Sequence, residues 1–142
     1  MRLSKIHTVL MILALSGAGG LGGCGLFNSN TGPLIVDTRS PISDVPVPAG
    51  FAMTDDSSSK VITSSSLRVV DHGYKGSDDL LPVVTFYKEQ IPKKDWNFID
   101  QTQVSGKEIT LHFTKRSEDC HITVRERVLD TMIRVKIDPL SR

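Results

Sequence analysis

The sequence predicts an α+β two-layer sandwich, in which one helix packs on an antiparallel sheet of four to six strands. Three observations lead there. Residues 80 to 91 carry apolar side chains at three- and four-residue steps, the spacing of a helix with one buried face. Three segments after residue 108 alternate apolar and polar residues, the period of strands with one buried face. The chain has 142 residues, of which 39% are hydrophobic and 23% charged. That is enough for one small folded domain plus its ends, and unlike a disordered or collagenous composition.

The domain is expected over residues 49–142. Phe51 to Thr54 and Val61 to Thr63 are weak strand candidates, separated by the loop Asp55-Asp56-Ser57-Ser58-Ser59. Leu67 to Tyr74 is a firmer strand, stopped by Gly76. Ser77 or Asp78 can cap the helix that follows, and Asp79 suits the positive end of its dipole. Pro82 falls in the first turn, where a missing N–H is harmless. Leu80, Val84, Tyr87 and Ile91 form the buried stripe, Val83 and Phe86 widen it, and Ile91-Pro92 ends the helix.

The remaining chain reads as an antiparallel meander. A two-residue turn at Ser117-Glu118 pairs Phe113 with Ile122 and Leu111 with Val124. A second turn, at Leu129-Asp130, pairs Val124 with Val135 and Ile122 with Ile137. Both registers set apolar against apolar on one face. Asp95 to Val104 is less regular. A Ser105-Gly106 turn aligns Phe98 with Phe113, but also sets Asp100 against Leu111 on the inner face, so a bulge or a longer turn is expected. Glu126 is a similar misfit between Val124 and Val128.

The first residues do not read as fold. Arg2 and Lys5 give a basic start, Val9 to Leu15 an apolar run too short for a membrane span, and Ser16 to Gly23 mostly small residues. Leu21-Gly22-Gly23-Cys24 resembles the lipobox of bacterial lipoproteins, in which a dedicated signal peptidase reads Leu21, Gly22 and Gly23 and cleaves before the Cys. The resemblance implies a signal peptide over 1–23 and a mature N-terminus at Cys24, lipidated on its thiol. The implied partner is the membrane, and several acyl chains suffice for stable anchoring. Gly25, where an Asp would resemble an inner-membrane retention signal, points to the outer membrane facing the periplasm.

Residues 24–48 are expected to be the acylated Cys and a tether rich in Asn, Ser, Thr, Gly and Pro. Pro33, Pro41, Pro46 and Pro48 favour extended backbone, and such a linker reaches up to ~80 Å. Leu34-Ile35-Val36 could instead add a strand to the domain or dock on a partner.

Charge excludes one class of partner. Lys and Arg number 17 against 16 acidic residues, and removing Arg2 and Lys5 leaves 15 against 16. Without a basic excess, no nucleic-acid partner is expected. Phosphate loops, paired Cys-x-x-Cys and His-Glu-x-x-His motifs are absent, so no catalytic residue and no cofactor are assigned.

The candidate surface is the outer face of the meander, where His112, His121, Arg125, Arg127, Arg134 and Lys136 point away from the core. Guanidinium forks suit carboxylate and phosphate. The face could therefore dock an envelope protein, an anionic polymer or a lipid headgroup. In the expected register His112 faces Thr123 and His121 faces Thr114, which makes the two His diagonal neighbours. Two imidazoles could share a metal, but their expected neighbours Asn97, Ile99, Gln101 and Thr110 supply no third ligand, so no metal site is assigned. Cys120, in phase with Ile122 and Val124, is expected in the core.

The reading is thus a non-catalytic, membrane-anchored binding or structural module. The alternative is a small periplasmic hydrolase or metal-dependent enzyme using His72, His112 or His121, with Asp71 and the Ser64-Ser65-Ser66 run nearby. Phe86-Tyr87, Pro92, Trp96, Leu111, Phe113 and Lys115 also resemble a pattern of small bacterial envelope domains, which implies a fold of this type and no activity.

Overall fold

Alternation of side chains after Phe51 does close into an antiparallel sheet, and the computed structural model describes residues 32–62 and 67–140. The leader, Cys24 and Ser64 to Ser66 lie outside the described residues. The strands are β1 (Val36–Asp37), β2 (Val47–Pro48), β3 (Ala52–Met53), β4 (Ser58–Ile62), β5 (Leu67–Gly76), β6 (Asn97–Ser105), β7 (Glu108–Lys115), β8 (Glu118–Glu126) and β9 (Thr131–Pro139). Helix α1 covers Leu80–Gln90, and a short 3-10 turn, Pro92–Lys94, follows it. The main sheet runs β3-β5-β9-β8-β7-β6, all antiparallel, with β3 and β4 pairing opposite ends of β5. Strands β1 and β2 form a separate pair. The class is α+β, weighted toward sheet.

The helix follows its expected stripe. Leu80, Val83, Val84, Phe86, Tyr87 and Ile91 are all buried, and α1 lies against β7 and β8. Its N-cap is Asp79, one or two residues later than expected, with extended backbone and no side-chain cap bond. On the sheet, the inner face presents Ile109, Leu111, Phe113, Cys120, Ile122, Val124, Ile133, Val135 and Ile137 to the helix layer, all buried. Burying each large apolar side chain is worth about 1.5–3 kcal/mol, so this face dominates the fold's stabilisation. Every residue of β6, the edge strand, is exposed, and Lys88 of α1 donates to Gln101 at 3.3 Å.

Both hairpin registers differ from expectation by two residues. The β7–β8 turn sits at Arg116-Ser117, with Lys115 opposite Glu118, so Phe113 faces Cys120 and Leu111 faces Ile122. Arg116 takes the left-handed conformation at φ 55. In the β8–β9 hairpin Ile122 faces Val135 and Val124 faces Ile133, and Arg127 N–H donates to the Asp130 carbonyl at 2.7 Å around Val128-Leu129. The reason is that a slip of two preserves which face each residue occupies. Apolar still meets apolar, so the pattern does not distinguish the two registers. Val128 is 92% exposed, because the strand has already ended at Glu126.

The irregularity near Asp100 is a bulge. Phe98 faces Phe113 as expected, the ladder skips Ile99, and Asp100 then faces His112 rather than Leu111. The extra residue moves the carboxylate from the inner face to the outer one, where its charge stays hydrated.

The expected boundary after residue 48 falls inside the folded body. Ile42, Val45 and Val47 belong to the core, and Leu34 packs against it. Asp44 holds this segment by accepting from Arg68 and from Lys115 Nζ at 3.0 Å. The indole N–H of Trp96 donates to the Asp44 carbonyl at 3.1 Å.

Candidate functional site

Alternation on four strands builds the outer face. Asp71 comes from β5, Arg134 and Lys136 from β9, Asp119, His121 and Arg125 from β8, and Glu108 and His112 from β7. The cations expected to make this face basic each have a carboxylate beside them. Arg125 donates to Glu108, and Arg127 Nε lies 3.2 Å from Asp130 Oδ1. Arg134 bridges Asp71 and Asp56, while Lys136 Nζ is 3.9 Å from Asp71. Hydrogen bonding to Asp71 raises the already high Arg134 pKa, against a smaller opposing effect of burial. The face is therefore internally compensated rather than broadly basic.

It is not flat everywhere. An open concavity of about 390 Å³ is lined by Glu108, Thr123, Arg125, Arg127, Met132, Ile133 and Arg134. Arg125 and Arg127 remain 60% and 55% exposed at their side chains, so their forks are open to an incoming anion.

The shifted register changes the histidines most. His112 stands directly opposite His121, and their rings stack with centroids 4.4 Å apart and planes 12° from parallel. Asp119, two residues before His121 on the same face, places Oδ1 2.9 Å from His112 Nε2. Asp100, delivered by the bulge, places Oδ2 3.6 Å from His112 Nδ1. One ligand atom each from His112, Asp119 and His121 fits within 4.8 Å. The expected register had put Thr114 and Thr123 opposite these histidines. Asp119 and Asp100 were missed because the first was displaced by two residues and the second was assigned to the wrong face.

The other candidates separate. His72 is buried on the inner face, its Nδ1 3.1 Å from the Tyr74 hydroxyl. Burial lowers its pKa, with Asp71 opposing and Arg134 adding to the shift. It lies on the face opposite His112 and His121, so the three do not form one site. Asp71 points outward to Arg134, which separates it from the His72 ring. Cys120 is buried as expected, and burial pushes its thiol up to about 12, well away from a reactive thiolate. Among the described residues no helix is long and apolar enough to cross a membrane.

Compared with known proteins, the chain matches no family model, no curated protein and no solved structure.

Proposed function

We propose that the chain is a lipid-anchored domain of a bacterial envelope that binds an acidic component there and performs no reaction itself. Its architecture is read as a two-layer sandwich whose helix covers one face of the sheet and leaves the other for a partner. The observation that carries this reading is the concavity on that open face, rimmed by Arg125, Arg127 and Arg134. A guanidinium has five N–H donors, so Arg125 and Arg127, each beside one carboxylate, keep several to meet an outside carboxylate or phosphate. That chemistry suits an acidic envelope protein, an anionic polymer or a lipid headgroup.

The anchor is supported by the lipobox-like run ending at Cys24, and outer-membrane placement facing the periplasm by Gly25. With Leu34 already packed on the core, the chain from Cys24 to Leu34 spans at most roughly 35 Å. The binding face would then work close to the bilayer, rather than at the end of an 80 Å leash. The enzymatic alternative loses His72, which lies in the core on the opposite side of the sheet from His112 and His121.

The test is photo-crosslinking in intact cells from a reactive side chain placed at Thr123, beside the concavity. The parent should yield a defined adduct. An Arg125→Glu, Arg127→Glu double variant, folded by circular dichroism, should lose it. A variant that keeps every adduct of the parent would show that the arginine rim does not bind the partner.

A further inference from the structure

We propose that His112, His121 and Asp119 form a binding site for a divalent transition cation of the zinc class. The site is independent of the anchor and of the arginine rim.

Three kinds of observation converge on it. The first is donor chemistry. Two imidazoles and a carboxylate are the ligand types that zinc-class cations take, and they leave a position for water or a partner's group. The second is geometry. The hairpin turn at Arg116-Ser117 fixes His112 opposite His121, and the pleat brings Asp119 to the same face. The three donor atoms already lie within 4.8 Å of one another. A tetrahedral zinc with bonds of about 2.0–2.1 Å needs donors roughly 3.3 Å apart. The side chains close that gap by rotating on the surface, since His112 and Asp119 are only partly covered and His121 is exposed.

The third is the bulge. Skipping Ile99 brings Asp100 to the far ring nitrogen of His112, 3.6 Å from Nδ1, while Nε2 faces Asp119. At 3.6 Å the Asp100 contact is proximity rather than a hydrogen bond. On metal binding the Nε2 proton now shared with Asp119 leaves, and Asp100 is placed to accept from Nδ1–H, the arrangement that commonly orients a ligating histidine. Two carboxylates also balance a divalent charge. Lys136, opposite His121 on the neighbouring strand, approaches Asp71. A cation bound by His112, His121 and Asp119 would be shared by all three side chains, with Asp100 on the far side of the His112 ring.

Calorimetric titration of the purified full chain with zinc chloride tests this. One zinc per chain should bind with micromolar affinity, and magnesium at the same concentrations should give no comparable heat. His112→Ala and His121→Ala should each weaken binding at least tenfold, by about 1.4 kcal/mol or more. Asp119→Asn should do likewise, and Asp100→Asn should weaken it less. Thermal unfolding gives a second readout that does not require each variant to keep full stability: zinc should raise the melting temperature of the parent and leave a His112→Gln, His121→Gln variant unmoved. A parent that takes up no zinc at millimolar concentration overturns the proposal. So does zinc binding of undiminished affinity in the two histidine variants, which would place the ion elsewhere.

Discussion

Asp44 accepts two parallel hydrogen bonds from Arg68, through Nη1 and Nη2 at 2.8 Å each, and so clasps the segment before β3 to the first residues of β5. Arg68 in turn donates to Glu118 from Nε and Nη2 at 3.1 Å, and both Arg68 and Lys115 lie over the Trp96 ring. Residues expected to be tether are thereby built into the domain.

Removing that carboxylate leaves Arg68 and Lys115 without one of their partners in a half-buried setting. Asp44→Ala should cost about 2 kcal/mol, between the values for exposed and fully buried pairs. Chemical denaturation measures the loss, and limited proteolysis should cut the variant first before β3. A variant as stable and as resistant as the parent would make the clasp incidental.

Acid should act in two stages. Burial favours the neutral Asp44 carboxyl, but bonds from Arg68 and Lys115 outweigh it and hold the group down at about 2, against an ordinary 3.8. A carboxylate depressed in the folded state contributes stability above its unfolded value and loses it as pH falls, here between about 4 and 2. His72 acts earlier. Its folded pKa lies below the ordinary 6.5, so the unfolded chain takes up the proton more readily and stability declines as pH drops below about 6.5. Denaturation midpoints against pH should show both declines, and His72→Gln should abolish the upper one alone.

Tyr87 is completely buried, and its hydroxyl has no hydrogen-bond partner among the described residues. Burial drives its pKa well upward. An unmade bond in the core costs about 1–3 kcal/mol, so Tyr87→Phe should raise stability by about 1 kcal/mol. A loss of stability on thermal unfolding would mean that the hydroxyl is satisfied.

Gly76 lies under the ring of Phe51. A Cβ at that position would come within 2.7 Å of three ring atoms of a buried side chain. Gly76→Ala should therefore cost about 1–3 kcal/mol through overpacking, and adding Phe51→Leu should recover part of it. Additive losses in the double variant would show that the two residues are not coupled.

The helix was legible because its buried stripe repeats at a spacing no strand shares. The strands from Leu67 onward were legible too, down to which side of the sheet Leu111, Ile122 and Val135 occupy, whereas Ser58 and Ser59, expected in a loop, open β4. Register was not. The pleat repeats every two residues, so a turn placed one residue late shifts the pairing by two and changes no face. The core tolerates that ambiguity, but a site made of cross-strand neighbours does not. His112 moved from a threonine to His121, and Asp119 came with it. The misfit of Asp100 did signal a bulge, though the sequence does not say which residue is extra. The clasp at Asp44 was hidden for another reason: Ile42, Val45 and Val47 are spaced among prolines and polar residues with no strand or helix period, and only the partners Arg68, Trp96 and Lys115, distant in sequence, give them a place.

The proposed lipid on Cys24, which would hold the domain at a membrane, is read out by the intact mass of the mature N-terminus. The expected product begins at Cys24 and carries the added mass of a diacylglyceryl thioether. A product that begins elsewhere, or one whose Cys24 is a free thiol, would contradict it.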